Sequence, residues 1–273
     1  MSTLTAFVNG VAFWAPRLPG WQIAVPVLRG EAAAPVQPAP RPAPTLLGPT
    51  ERRRAPDTVA IALEVAGRAC ESAGADPKQL RSIFASTHGD LAINDYMSET
   101  LARTPTLVSP IRFHNSVHNA AAGYWTIGTG CHEPYTALTA YDDTFGEGLL
   151  EALMQAACSD RAVLLVTYDI EARGPVATMV PSRGIVGAGV VVSPHAQANS
   201  LARVHWRTSR GGERTVALDC NAELVAGNAM AACLPFFETL ARSERRTIRL
   251  GLSPALLLEL AIDFPDAEHA DEG

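Results

Sequence analysis

His114, Asn115, Ser116, His118 and Asn119 fall within six consecutive positions, and Cys131, His132, Thr139, Tyr141, Asp142 and Asp143 follow closely. Three kinds of chemistry suit these residue types. A thiol beside an imidazole makes a nucleophile pair, so Cys131 with His114, His118 or His132 could attack an acyl thioester, with Asp142 orienting the ring. His114 and His118 are four residues apart and would share a face on a helix, as metal ligands do. No HExxH setting and no third ligand accompany them, so no metal site is assigned. The third use is structural, because Asn and His side chains satisfy backbone groups where a chain turns. Geometry separates a catalytic pair from a structural one, and spacing alone gives none.

These residues need elements to hold them. Val117 to Ile127 reads as a helix of small residues, and Tyr135 to Ala140 as a strand. Phe145 to Ala157 is an amphipathic helix whose apolar face carries Leu149, Leu150, Leu153 and Met154. Residues 161–169, RAVLLVTYD, form an apolar strand buried on both faces. Upstream, Thr5 to Trp14 alternates as a first strand, and Pro16 to Pro26 reads as a loop. Residues 32–49 are Ala/Pro-rich and read as an extended surface loop. Asp57 to Ala73 is a helix stopped by Gly74. A turn at Pro77 to Leu80, a strand at Ser82 to Thr87, a helix at Ile93 to Arg103 and a loop at Thr104 to Pro110 complete the first half. Downstream, Gly184 to Ser193 is a strand. Its glycines open a strand and not a helix, which rejects a dinucleotide loop. Ala202 to Thr208 is a strand and Leu224 to Ala241 a helix. Two strand-like segments, Thr247 to Leu252 and Ala255 to Asp263, precede an acidic tail at 266–273, expected to fray. The alternation predicts an α/β fold, with a mixed, largely parallel central sheet flanked by helices on both faces. No linker divides the chain, so residues 1–273 read as one domain.

Composition narrows the function. Hydrophobic residues make up 47% of the 273, enough for a large core, and the net charge is −6. No basic stripe is present, which argues against nucleic-acid binding. Arg52-Arg53-Arg54 is a short solvated run before a helix. The five cysteines are odd in number and lack CxxC spacing, so neither a zinc site nor a disulfide framework is suggested. A reducing cytoplasm fits. No secretory leader and no 18-residue apolar span is read from the sequence. Nothing calls for a cofactor.

Residues 114–169 resemble the N-terminal half of β-ketoacyl synthases, which have a thiolase-type fold. In those enzymes a small-residue helix leads through a glycine turn into a strand, and that strand ends at a nucleophilic cysteine in a Thr-Ala-Cys pattern. Gly187-Ala188-Gly189 resembles part of the family's later glycine-rich strand. The runs Phe84 to Asp90 and Phe113 to Asn119 are similar to short ketosynthase N-terminal-like proteins that accompany full ketosynthases in aryl-polyene and related fatty-acid-like pathways. Two departures bear on activity. Thr139-Ala140 is present, but Tyr141 stands where the cysteine belongs, and a phenol is no substitute for a thiolate at a helix start. The family's catalytic histidines lie in a second half, and His195, His205 and His269 here have no matching context. The resemblance therefore implies a non-catalytic, chain-length-factor-like partner of a full-length ketosynthase, meeting acyl carrier protein only indirectly. By that resemblance Tyr135 to Ala140 would pair edge to edge with the ketosynthase, as a heterodimer, and the isolated chain could form a homodimer. Phe113, His114, Asn115, Ser116, His118, Asn119, Tyr124, Trp125, Thr139 and Tyr141 would shape the interface and the acyl tunnel. A stand-alone thioesterase or acyltransferase using Cys131 is the alternative.

Overall fold

The computed structural model describes residues 3–265, so the acidic tail and His269 lie outside the described residues. The strands are β1 (Leu4–Ala15), β2 (Leu18–Pro19), β3 (Arg81–Ala85), β4 (Tyr135–Leu138), β5 (Val163–Asp169), β6 (Val186–Ser193), β7 (Ala202–Arg210), β8 (Arg246–Ser253) and β9 (Leu256–Asp263). They form one sheet in the order β4-β3-β5-β6-β1-β7-β9-β8, with β2 paired to β1. The helices are α1 (Trp21–Arg29), α2 (Pro49–Arg54), α3 (Asp57–Ala73), α4 (Leu91–Arg103), α5 (Pro110–His114), α6 (Ala120–Thr129), α7 (Thr144–Ser159), α8 (Asp219–Ala222) and α9 (Leu234–Arg242).

Helices cover both faces of the sheet. On one face Phe145 and Leu149 of α7 and Phe236 and Phe237 of α9 pack with Phe13 and Val190. The rings of Phe13 and Phe237 lie 5.2 Å apart. On the other face α3 and α6 bury Ile61, Val65 and Trp125 against Phe84 and Tyr168. The glycines of β6 serve this packing. A Cβ at Gly189 would press on the Val65 carbonyl of α3 at 2.5 Å, so the bare strand lets the helix axis come close.

The sheet is mixed, but the expected parallel majority is overturned. Among the described residues only β3–β4 and β3–β5 run parallel; β5–β6, β1–β6, β1–β7, β7–β9 and β8–β9 are antiparallel. Parallel neighbours need a long crossover, usually helical, whereas β8 and β9 are joined by Pro254-Ala255 alone.

Three element boundaries also differ from expectation. The segment read as a loop at Pro16 to Pro26 holds the first six residues of α1. Its buried Ala24, Val27 and Leu28 and the Trp21–Phe237 ring contact at 6.1 Å hold it despite Pro26. The helix expected at Leu224 to Ala241 is broken: Gly227 takes φ +76, and Pro235 sits in the first turn of α9. The helix expected from Val117 begins only at Ala120, because Asn115 to Asn119 is turn. The Pro-rich stretch packs more than a solvated loop would. Leu47 is buried, Leu46 lies against Gly128 of α6, and Arg52 of α2 donates to the Leu47 carbonyl at 2.9 Å. Among the described residues no helix is long and apolar enough to cross a membrane.

Candidate functional site

The three parallel strands β4, β3 and β5 end on one side of the sheet, at Leu138, Ala85 and Asp169. The segments that follow them meet there. Asp169 is fully buried at the end of an apolar strand. Its carboxylate accepts hydrogen bonds from Ser86 Oγ at 2.9 Å, Thr87 N at 2.9 Å and His88 N at 3.1 Å. Ser86 Oγ in turn accepts from Gly89 N at 2.9 Å. Burial raises the Asp169 pKa above the ordinary carboxylate value, and these donors pull against that rise. One carboxylate thus shapes the whole turn after β3. Asp90 closes the turn by capping α4, accepting from Ile93 N and Thr58 Oγ1, each at 2.8 Å.

Next to this turn stands the elbow between β4 and α7. Tyr141 has φ +54, one of three described non-glycine residues with positive φ. A bulky side chain rarely adopts that region, so the surroundings must impose it. The Tyr141 carbonyl accepts from Thr144 Oγ1 at 2.7 Å and from Thr87 Oγ1 at 3.3 Å. Ala140 N donates to Thr144 Oγ1 at 3.0 Å, and Thr139 Oγ1 donates to the Thr87 carbonyl at 3.0 Å. A strand, a strained residue and an immediate helix make the geometry that other folds use to expose a nucleophile. Here the exposed group is a phenol, 60% accessible, with the His88 ring edge-on at 6.1 Å. The hydroxyl has no hydrogen-bond partner among the described residues. Asp143, two residues on, pairs with Arg214 at 2.8 Å.

The residues expected to line a site fall into four groups. Thr139 and Tyr141 form the elbow. Ser116, His118 and Asn119 shape the turn before α6. Ser116 Oγ donates to the Phe113 carbonyl at 2.8 Å, His118 Nε2 lies 2.9 Å from the Ser86 carbonyl, and Asn119 Nδ2 donates to the Tyr135 hydroxyl at 3.0 Å. Phe113 and His114 face outward, and Tyr124 is half-buried against the core. Phe113 is 60% exposed, and His114 and Tyr124 line an apolar cleft with Leu46, Val117 and Ile127. Asn115 is buried in the wall of a separate cleft beside α4 and α5.

Trp125 and Cys131 are corrected by their burial. Trp125 is 2% exposed and packs on Phe84 with centroids 6.5 Å apart, so it belongs to the core and cannot shape a surface tunnel. Cys131 is buried too, its Sγ facing the carbonyls of Lys78 at 3.6 Å and Leu80 at 3.5 Å. No imidazole bonds to it among the described residues, which removes the thiol–imidazole pair. His114 and His118 do not share a helical face, because α5 ends at His114. Among the described residues no three His, Cys, Asp or Glu side chains group as metal ligands.

β4 is the first strand of the sheet and, among the described residues, pairs only with β3. Pro134 O and Leu138 O accept from Ser82 N at 3.2 Å and Ser86 N at 3.1 Å, so the even-numbered residues of β4 face β3. The backbone groups of Tyr135 and Ala137 face the open edge. At the other end of the sheet, Thr215 covers β8 by exchanging two hydrogen bonds with Arg249, each 2.9 Å.

A mixed sheet with helices on both faces, and a strand-to-helix elbow beside its open edge, defines a thiolase-like half fold. Residues 29–236 match the family described as β-ketoacyl synthase, N-terminal domain, and the chain belongs to that family. Among solved structures it is similar to the ketosynthase ApeO in complex with its chain length factor ApeC from Xenorhabdus doucetiae. That match has 20% identity and a TM-score of 0.71, over 94% of this chain and 99% of that one. The ishigamide ketosynthase/chain length factor matches at 16% identity and TM-score 0.71, over 95% and 99% of the two chains. The AntDE:AntF complex, a type II acyl-carrier protein with its ketosynthase, matches at 8% identity and TM-score 0.72, over 97% and 100%. At these identities the shared property is the fold. Among curated proteins none matches.

Proposed function

We propose that this chain is a non-catalytic, chain-length-factor-like subunit that pairs with a full-length β-ketoacyl-acyl-carrier-protein synthase in aryl-polyene or related polyketide and fatty-acid-like biosynthesis. The observation that carries this reading is Tyr141, which holds the strained elbow position at φ +54 with no nucleophile on it. A phenol does not take up an acyl group as a thiolate does, so the elbow positions but does not react. The open edge of β4 supports pairing, because the outer edge of a strand that carries exposed Tyr135 offers main-chain hydrogen bonds to a second sheet. Two of the similar solved structures are ketosynthase and chain length factor pairs, which is the assembly proposed here. In such a pair Tyr141 and Phe113 would limit the length of the growing chain. One methylene in an apolar pocket is worth ~1–3 kcal/mol, so a bulky wall suffices as a limiter.

Co-expression with candidate ketosynthases followed by size-exclusion chromatography tests the pairing. A co-eluting ketosynthase is expected; a stable monomer with no co-eluting ketosynthase defeats the proposal. In a reconstituted pair, Tyr141→Ala is expected to lengthen the product, and an unchanged length distribution would remove Tyr141 as a limiter.

A further inference from the structure

A cleft of about 600 Å³ opens between α4, α5 and the segments that follow β3 and β5. It lies beyond the carboxyl ends of parallel strands, where open α/β sheets bind ligands. Ile93, Ile111 and Ile170 contribute apolar walls, and Arg54, Arg112 and Arg173 stand around it. Arg112 lies over the Tyr96 ring, with Cζ 3.9 Å from the centroid. None of the three guanidinium groups makes an ion pair among the described residues.

The carboxylates of the cleft are mostly engaged. Asp57 pairs with Arg41 at 2.8 Å, and Glu99 with Arg103 at 2.8 Å. Asp90 is occupied by Thr58 and Ile93, as described above. Asp95 is left, lodged against the Gly174 backbone. Three arginines without an ion-pair partner therefore stand beside two carboxylates without a cation, Asp90 and Asp95, and the balance of the cleft stays positive. Deeper in, Asn115 is only 4% exposed and its Oδ1 has no hydrogen-bond donor. A buried acceptor without a donor is costly, and native proteins seldom leave one empty. Ser109 Oγ accepts from Arg112 N at 3.4 Å, which leaves its own proton available to donate.

We propose that this cleft binds an organic phosphate. Arg112 and Arg173 take the phosphate, with Arg54 adding charge, and an amide or hydroxyl of the same molecule donates to Asn115 Oδ1. Arginine suits the first task because its paired N–H groups match phosphate oxygens. A nucleotide and a phosphorylated carrier arm both have this chemistry. The inference stands on the cleft alone and does not depend on the ketosynthase pairing.

Calorimetric titration of the full chain with AMP, 4′-phosphopantetheine and inorganic phosphate at low salt tests it. One saturating site is expected for at least one ester, about tenfold or more tighter than for inorganic phosphate. The tighter ester identifies the source. Arg112→Ala combined with Arg173→Ala should weaken that site about tenfold or more, with an unfolding midpoint near that of the parent protein because both residues are exposed. Arg210→Ala, an exposed cation at the end of β7, should not weaken it. No saturation by either ester overturns the proposal. So does a site indifferent to the double substitution, a site weakened equally by Arg210→Ala, or inorganic phosphate binding as tightly as the esters.

Discussion

Trp125 shows how little a residue type says until its burial is known. Its ring fills the space over Phe84 beneath α6. Trp125→Ala should therefore destabilise the protein by about 3–5 kcal/mol, the range for deleting a large core side chain, measured by urea unfolding. Cysteine reactivity should divide the same way. Cys158 and Cys220 are exposed and Cys70, Cys131 and Cys233 buried, so a thiol reagent should modify two cysteines in the native protein and five after unfolding. Burial also pushes the Cys70 thiol up to about 12, which further suppresses its thiolate. Asp169 contributes to the pH response. Its folded pKa is raised, so the stability it contributes is full below the unfolded carboxylate range of about 4. That contribution is lost as pH rises through the raised value. Asp169→Asn should flatten the decline of unfolding midpoint from about pH 4 upward, whatever it does to the absolute level. At this scale the chain was partly legible. Tyr141 could be found because it interrupts a Thr-Ala-Cys pattern. The partner of His118 could not, since Ser86 lies 32 residues away. For Asp169 the usable signal is a lone acid ending the apolar run VLLVTYD.

The edge strand is where elements decide function. Because the odd residues of β4 turn their amides outward, Ala137→Pro removes one outward donor and leaves the β3–β4 hydrogen bonds in place. Loss of ketosynthase pairing with a near-native melting temperature is expected; a pairing that survives would move the interface elsewhere. The positions of β4 and α7 were readable from alternation and helical spacing, within two residues at the ends that matter. The breaks before α9 are marked in the sequence by Gly227 and Pro235, which outweigh the helical spacing of the apolar residues around them. The helix α1 was hidden by Pro26, because tertiary contact with Phe237 outweighs the local cost of a proline in its last turns.

Across the whole molecule the two sheet edges are treated differently. Thr215 and its neighbours cover β8, while β4 is left open beside apolar side chains. An uncovered edge invites self-pairing. The isolated chain should accordingly form a concentration-dependent dimer in sedimentation runs, and Ala137→Pro should return it to monomer. The class of fold was legible because apolar strands alternate with amphipathic helices. Strand direction was not, since an alternating pattern does not reveal which connections are short hairpins.

The position of β1 has a consequence for how the chain folds. This strand lies inside the sheet, with β6 on one side and β7 on the other, and Thr5 bonds His205 across 200 residues of sequence. During synthesis β1 therefore waits for neighbours that lie far along the chain. Until residues 186–210 emerge, its apolar faces have no sheet to join. Long-range closure of this kind slows folding and exposes apolar surface on the way. The chain is thus most exposed to misassociation during synthesis, before its own central strand has been enclosed.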